Sequence, residues 1–270
     1  MSKAPEKAAF FSIITVTLNN IAGLKTTHKS LQDQNCDDFE WIVIDGASTD
    51  ETPQYLKTTD AKWASRPDCG IYDAMNKGVE RASGKYLLFL NAGDALAAPE
   101  TLQNIKKAAH NHPDFIYGDS LEDGAYKPAR TADLRSGMFT HHQAMLYNRK
   151  ALGDMRYDLR YKIAADYDLS ARFLKDHGNI LYCPFPICIF ESGGVSQTNA
   201  VLGRREQYQI RKDLQLTGPV QNRIITSAQA ALWTLRRVVP SLYWHLKSSD
   251  NNAPATARND TPPPHPENQA

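Results

Sequence analysis

The sequence predicts an α/β fold with a mostly parallel central sheet flanked by helices, followed by a helical extension. Three observations predict it. Apolar β-rich runs alternate with segments of helical spacing from the start of the chain through His110. Those runs are apolar on both faces instead of alternating, as strands covered by helices on both sides are. The chain of 270 residues is long enough to bury a substantial core.

The elements follow in order. Residues 12–18 (SIITVTL) form a short β-branched run that fits a buried strand. Residues 24–34 read as a helix, and 41–44 (WIVI) as the second strand. A second helix is expected over 49–57, capped by Ser48 or Thr49, with Pro53 limiting its start. Ile71, Met75, Val79 and Ala82 recur at helical spacing, and Gly84 follows as a stop. Residues 86–90 (YLLFL) make another strand and 99–110 another helix. Beyond residue 113 the pattern is mixed, with a strand near 115–117 and a helix over 164–175; this part is expected to form a second lobe continuous with the first.

Composition narrows the function. No run approaches the roughly 18 apolar residues of a membrane-spanning helix. Glu6 and the direct passage into a strand argue against a cleaved leader, so a cytoplasmic location is expected. Cys36, Cys69, Cys183 and Cys188 lack the paired spacing of a zinc site and read as free buried thiols. The formal net charge is +1, yet residues 204–247 carry eight Lys and Arg against two acids. A nucleic-acid binder would spread its basic residues over the main domain, so no nucleic-acid partner is expected. The expected organisation is a catalytic domain over 10–203, a basic amphipathic helical extension over 204–247, and a disordered tail over 248–270 with five prolines.

Open α/β sheets bind ligands beyond the carboxyl ends of their strands. Thr17, Asn19 and Asn20 follow the first strand, Asp45 the second, and Asn91, Gly93 and Asp94 the strand YLLFL. Asp45 and Asp94 each read as a turn residue or as a carboxylate at a ligand site. In CGIYDAMNKG, residues Asp73, Asn76 and Lys77 share one helix face, either solvated or turned into a cleft, with Ile71, Met75 and Val79 on another.

VIDGASTDET, GIYDAMNKGVERASGKYLLFLNAGD and KIAADYDL together resemble the family 2 glycosyltransferases of the GT-A fold, over roughly residues 10–200. The likeness is to bacterial enzymes of exopolysaccharide, lipopolysaccharide and colanic-acid assembly. The resemblance implies a nucleotide-diphospho-sugar transferase fold and inverting transfer from a UDP-sugar to a hydroxyl of a glycan or lipid-linked acceptor. It implies that Asp45 accepts from the uracil N–H, that Thr17 and Asn19 line the nucleotide pocket, and that Asp73, Asn76 and Lys77 lie near sugar or diphosphate. Where such enzymes carry a D-x-D-like metal motif, this chain has Asn91-Ala-Gly-Asp94, leaving Asp94 to hold Mn2+ or Mg2+ with phosphates and water. Asn91 then stands beside the metal or on the ribose, and Gly93 belongs to the same contact. A second acid often follows the first at the base pocket; here Gly46 follows Asp45.

The general base of the family aligns with Asp166, for which a helix cap is the alternative. Asp168 would face solvent or pair with Arg172, four residues on. His142, in the pair His142-Gln143, would contact a phosphate or the acceptor, or be structural. Residues 191–196 (ESGGVS) read as a glycine-hinged loop able to close over the diphosphate with Arg204 and Arg205. Residues 223–247 mix Trp and Tyr with Arg and Lys, suited either to an anionic membrane surface or to packing on the domain. The lipid-linked acceptors of the relatives favour the membrane, hence a peripheral place on its inner face. No GxGxxG follows a strand, which disfavours a nicotinamide dehydrogenase, and no Gly-rich basic loop follows the first strand, which disfavours a nucleotidyltransferase. A non-catalytic nucleotide-sugar or carbohydrate binder on the same scaffold is the remaining alternative.

Overall fold

The computed structural model describes residues 8–190 and 199–238. Strand β1 (Phe11–Thr17) is buried along its whole length because it has a strand on each side and helices on both faces. It runs parallel to β2 (Phe39–Asp45) and β4 (Tyr86–Phe89), and β2 runs parallel to β3 (Lys62–Ser65). Beyond β4 the sheet turns mixed. β8 (Met145–Asn148) is antiparallel to both β4 and β6 (Phe115–Glu122), while β6 is parallel to β9 (Ile180–Phe190). β5 (Ala95–Leu96) pairs antiparallel with β9, and β7 (Ala125–Lys127) forms a hairpin with β6. The spatial order is β3-β2-β1-β4-β8-β6-β9-β5. The expected parallel arrangement therefore describes the first half. The expected second lobe is instead an extension of the same sheet, whose antiparallel neighbours need no crossover helix.

Side chains alternate across this sheet into two cores. Ile13, Trp41, Val43 and Leu88 meet Leu24 and Leu31 of α1 (Ile21–Gln32) and Leu102 and Ile105 of α4 (Thr101–Ala108). Ile14, Val16, Ile42 and Phe89 meet Met75 and Val79 of α3 (Ile71–Arg81) and Leu169 and Phe173 of α6 (Ala165–Asp176). α3 lies so close to β1 that a Cβ on Gly78 would come within 2.4 Å of the Ile14 side chain.

Local expectations fail where long-range contacts take over. The second helix is only α2 (Thr52–Leu56), with Pro53 in its first turn; Glu51 stands at its cap without a side-chain bond. Ser48 and Thr49 do not cap it, because Asp45 and Asn19 engage them. The edge strand β3 carries no apolar run and was not expected. A short α5 (Arg149–Leu152) follows β8. Cys183 and Cys188 are buried free thiols, but Cys36 is half-buried and Cys69 exposed.

The chain divides into two compact units between Asn222 and Arg223. α7 (Ala200–Asp213) belongs wholly to the first and crosses the expected boundary at 203, because Gly203, Glu206 and Ile210 are buried. α8 (Pro219–Val238) carries into the second unit, where Ile224, Leu232 and Val238 are exposed. No described helix is long and apolar enough to cross a membrane. The 191–196 loop and the 248–270 tail lie outside the described residues, as do residues 239–247, including Pro240.

Candidate active site

A cleft of about 700 Å³ opens beyond the carboxyl ends of β1 and β4, and both Asp94 and Asp166 line it. After β4 the chain makes one tight turn. The Asp94 N–H donates to the Asn91 carbonyl, and the Asn91 N–H donates back to Asp94 Oδ2, each at 2.9 Å. Gly93 has φ of 113°, a left-handed value that a side chain would strain. Thr27, buried on α1, donates to the Asp94 carbonyl at 2.7 Å and accepts from the Gly93 N–H at 3.0 Å. The turn, and with it the Asp94 carboxylate, is thus held by the helix behind it.

Asp166 lies in the first turn of α6, on the opposite side of His142. The segment His142–Ala144 bridges the two acids. Gln143 Nε2 donates to Asp94 Oδ2 at 3.0 Å, and His142 Nδ1 stands 3.7 Å from Asp166 Oδ2, with both of those side chains 19% exposed. Asn91 Nδ2 lies 3.3 Å from His142 Nε2. An amide donor there makes Nε2 the acceptor and leaves the imidazole proton on Nδ1, facing Asp166. Burial pushes the His142 pKa down to about 4, so the ring is neutral at pH 7. Burial pushes Asp166 up to about 6, against the pull of the Tyr167 N–H and the Tyr72 hydroxyl. Tyr72 Oη donates to the Ile163 carbonyl at 2.7 Å and lies 3.4 Å from Asp166 Oδ1.

The remaining expected residues divide. Asp45 is fully buried at the end of β2 but does not line this cleft; its carboxylate accepts from Ser48 and from Ser65 Oγ at 2.6 Å. Two of the three expected acids therefore share the cleft, and the third ties the loop after β2 to the end of β3. Asn19, at φ 49°, accepts from the Thr49 N–H at 2.8 Å, joining the loops after β1 and β2. Thr17 Oγ1 beside them is buried without a partner, an orphan acceptor and donor at a strand end.

The polar face of α3 is not turned into the cleft. Asp73 accepts from the Cys69 N–H and pairs with Lys77, each at 2.9 Å, and Lys77 reaches the Pro67 carbonyl. Asn76 exchanges two bonds of 2.9 Å with the Tyr157 backbone, which uses both ends of its amide. Ile71, Tyr72 and Met75 line the cleft instead, because Tyr72 must reach Asp166 across it. Asp168 is buried and bound to Arg172 at 2.7 Å. His141 stacks on Phe190 at the rim.

Sequence reasoning missed Tyr72, Thr27 and Glu206, and named Gln143 without a role. Only Tyr72 had a signal, its place inside GIYDAMNKG. Among the described residues no group of three or more His, Cys, Asp or Glu could hold a metal ion. The oxygen donors on the β4 turn are the Asp94 carboxylate and Asn91 Oδ1, the latter buried without a partner. Oxygen donors of this kind suit a hard divalent cation, which takes only one or two protein ligands when phosphates and water complete its shell.

Residues 12–163 match the model of glycosyl transferase family 2. A PGL/p-HBAD biosynthesis glycosyltransferase of Mycobacterium tuberculosis is 35% identical over 206 residues, covering 71% of this chain and 80% of that protein. An uncharacterized glycosyltransferase of the same species is 30% identical over 228 residues, covering 78% and 84%. Two solved structures share the fold. Staphylococcus aureus TarS 1–349 in complex with UDP-GlcNAc gives a TM-score of 0.65 at 17% identity, covering 82% of this chain and 71% of that one. The Pyrobaculum calidifontis mannosyltransferase PcManGT with GDP-Man and Mn2+ gives 0.61 at 16% identity, covering 92% and 83%. The fold is thus the expected GT-A glycosyltransferase fold, and a transferase takes precedence over the non-catalytic binder. With its matched segment running from β1 to the approach to Asp166, the chain belongs to glycosyl transferase family 2.

Proposed function

We propose that this transferase moves a sugar with inversion from a nucleoside-diphosphate sugar, UDP being the favoured nucleotide, to a hydroxyl of a glycan or lipid-linked acceptor in bacterial surface polysaccharide assembly. The observation that carries the reading is the pairing in one cleft of a carboxyl held near neutrality, Asp166, with a carboxylate pinned on the β4 turn, Asp94. A base with a pKa just below working pH is ionised yet still able to take a proton.

In this reading Asp166 accepts the proton of the acceptor hydroxyl as that oxygen attacks the anomeric carbon and the bond to the nucleoside diphosphate breaks. His142 turns its Nδ1 proton towards this carboxylate from 3.7 Å, beyond a direct hydrogen bond. Asp94 and Asn91 Oδ1 would hold Mn2+ or Mg2+, whose charge would stabilise the departing diphosphate. Thr17, Asn19 and Asp45 would serve the nucleotide at the ends of β1 and β2, with the unpartnered Thr17 hydroxyl the strongest support for a ligand there. The exposed apolar residues of α8, with Arg223, Arg236 and Arg237 in the same segment, support contact with an anionic membrane at a peripheral, inner-face location.

The test uses purified protein with UDP- and GDP-sugars, with and without Mn2+. Asp166→Asn is expected to keep donor binding by thermal shift and to lose transfer by about 100-fold or more. Asp94→Asn is expected to lose the metal-dependent part of the donor shift. Undiminished transfer by Asp166→Asn overturns the assignment.

A further inference from the structure

Helix α6 begins without a side-chain cap of its own, since its cap residue is Ala164. The N–H groups just before it are nonetheless satisfied. Glu206, on α7, accepts from Lys162 N–H at 2.8 Å through Oε1, and from the Ile163 and Ala164 N–H groups at 2.9 and 2.8 Å through Oε2. Three consecutive backbone donors converge on one carboxylate that is only 8% exposed. On its other side the same segment is held by Tyr72, through the Ile163 carbonyl. Asp166 follows two residues after the last of these donors. α7 cannot drift from this position, because Ile210 is fully buried and Arg211 donates to Asn222 at 2.7 Å. Gly203, one turn before Glu206, lies against Ile163, where a Cβ would come within 3.1 Å.

We propose that Glu206 is a positioning residue for the transfer reaction: by clamping residues 162–164 against Tyr72 it fixes where the Asp166 carboxylate stands in the cleft. The proposal rests on the reading of Asp166 as general base. It makes α7, which lies beyond the family-matched residues 12–163, a working part of the active site. A capping interaction alone would stabilise the fold and leave the chemistry untouched. The difference is that this carboxylate acts on the segment that bears the base, and its negative charge also opposes ionisation of Asp166.

The groups that face Asp166 are Tyr72 from α3, His142 and His141 from the bridging segment, Tyr147 from β8, Tyr157 ahead of α6, and Glu206 from α7. Glu206→Gln removes one charge from this set and replaces one acceptor oxygen with an amide that must oppose an N–H. Its expected result has three parts: kcat lower by about tenfold or more, KM for the donor within twofold, and an acid limb of kcat/KM moved to lower pH. Glu206→Asp, which keeps the charge but falls short by one methylene, is expected to lower kcat with the acid limb unmoved. It also serves as the test variant if the glutamine form does not fold. Asp166→Asn is measured alongside. Full activity in Asp166→Asn would sink the reading of the base. An inactive Asp166→Asn with wild-type kcat and pH midpoint in the folded Glu206 variants would overturn the clamp alone.

Discussion

If Asp166 is the base, the acid side of the rate profile must carry its mark. Burial raises this carboxyl from the ordinary 3.8 to about 6. At pH 7 such a group is about 91% ionised and at pH 5 about 9%, so kcat/KM should fall roughly tenfold across that interval. A carboxylate at the ordinary value would lose only about 6% over the same range. His142, Tyr72 and Tyr157 cannot imitate this limb. His142 is held down at about 4, and Tyr72 and Tyr157 are pushed far above 10 by burial. The measurement is nucleoside-diphosphate release at donor concentrations well below KM, from pH 4.5 to 8, with folding checked at each pH. The sign is fixed by the chemistry: activity is present above the folded-state value and lost as pH falls through it. A profile flat down to pH 5, or a midpoint below about 4.5, would falsify the idea that a half-buried Asp166 with a raised pKa takes the proton.

Three further outcomes follow from the packing. Asn76→Ala strands the Tyr157 N–H and carbonyl, and is expected to cost about 2 kcal/mol with donor affinity unchanged; weakened donor binding at full stability would return Asn76 to the ligand site. Glu40 is buried, and burial alone would raise its pKa; Lys62, Ser12 and the N–H groups of Ser83 and Gly84 outweigh this and draw it down to about 2. Glu40→Gln should therefore lose about 2 kcal/mol at pH 7, Lys62 being exposed and screened, and the gap to wild type in urea unfolding should shrink as pH falls through 4.5 towards 2. A gap that stays constant down to pH 3 would refute the ionic pin. Gly78→Val drives a branched side chain into Ile14 and should lower Tm by several degrees or prevent folding, whereas an unchanged Tm would mean that α3 can lift off β1.

The acids that follow apolar strands were legible because both facts are local. Asp45 comes directly after WIVI and Asp94 four residues after YLLFL, and strand ends are where open sheets put their ligands. Asp166 was legible through the resemblance and the helix it begins. The polar face of α3 was legible only in part. Periodicity correctly grouped Asp73, Asn76 and Lys77, but it contains no information on what the face meets, and the loops at 67–70 and 157 met it first. Glu206 left no trace in any motif, since its partners lie more than forty residues earlier in the chain.

By itself the sequence determined the alternation of strands and helices, the buried character of β1, β2 and β4, and the chemical types that stand at their ends. These follow from apolar spacing and backbone preference, which act over a few residues. Only the tertiary structure decided that the second half joins the same sheet in mixed directions, that Asp94 and Asp166 share one cleft while Asp45 is tied to the end of β3, and that a helix far along the chain holds the segment bearing Asp166. Those outcomes depend on burial and hydrogen-bond satisfaction between distant segments. Spacing along a chain says which side chains face together, and the rest of the molecule decides what they face.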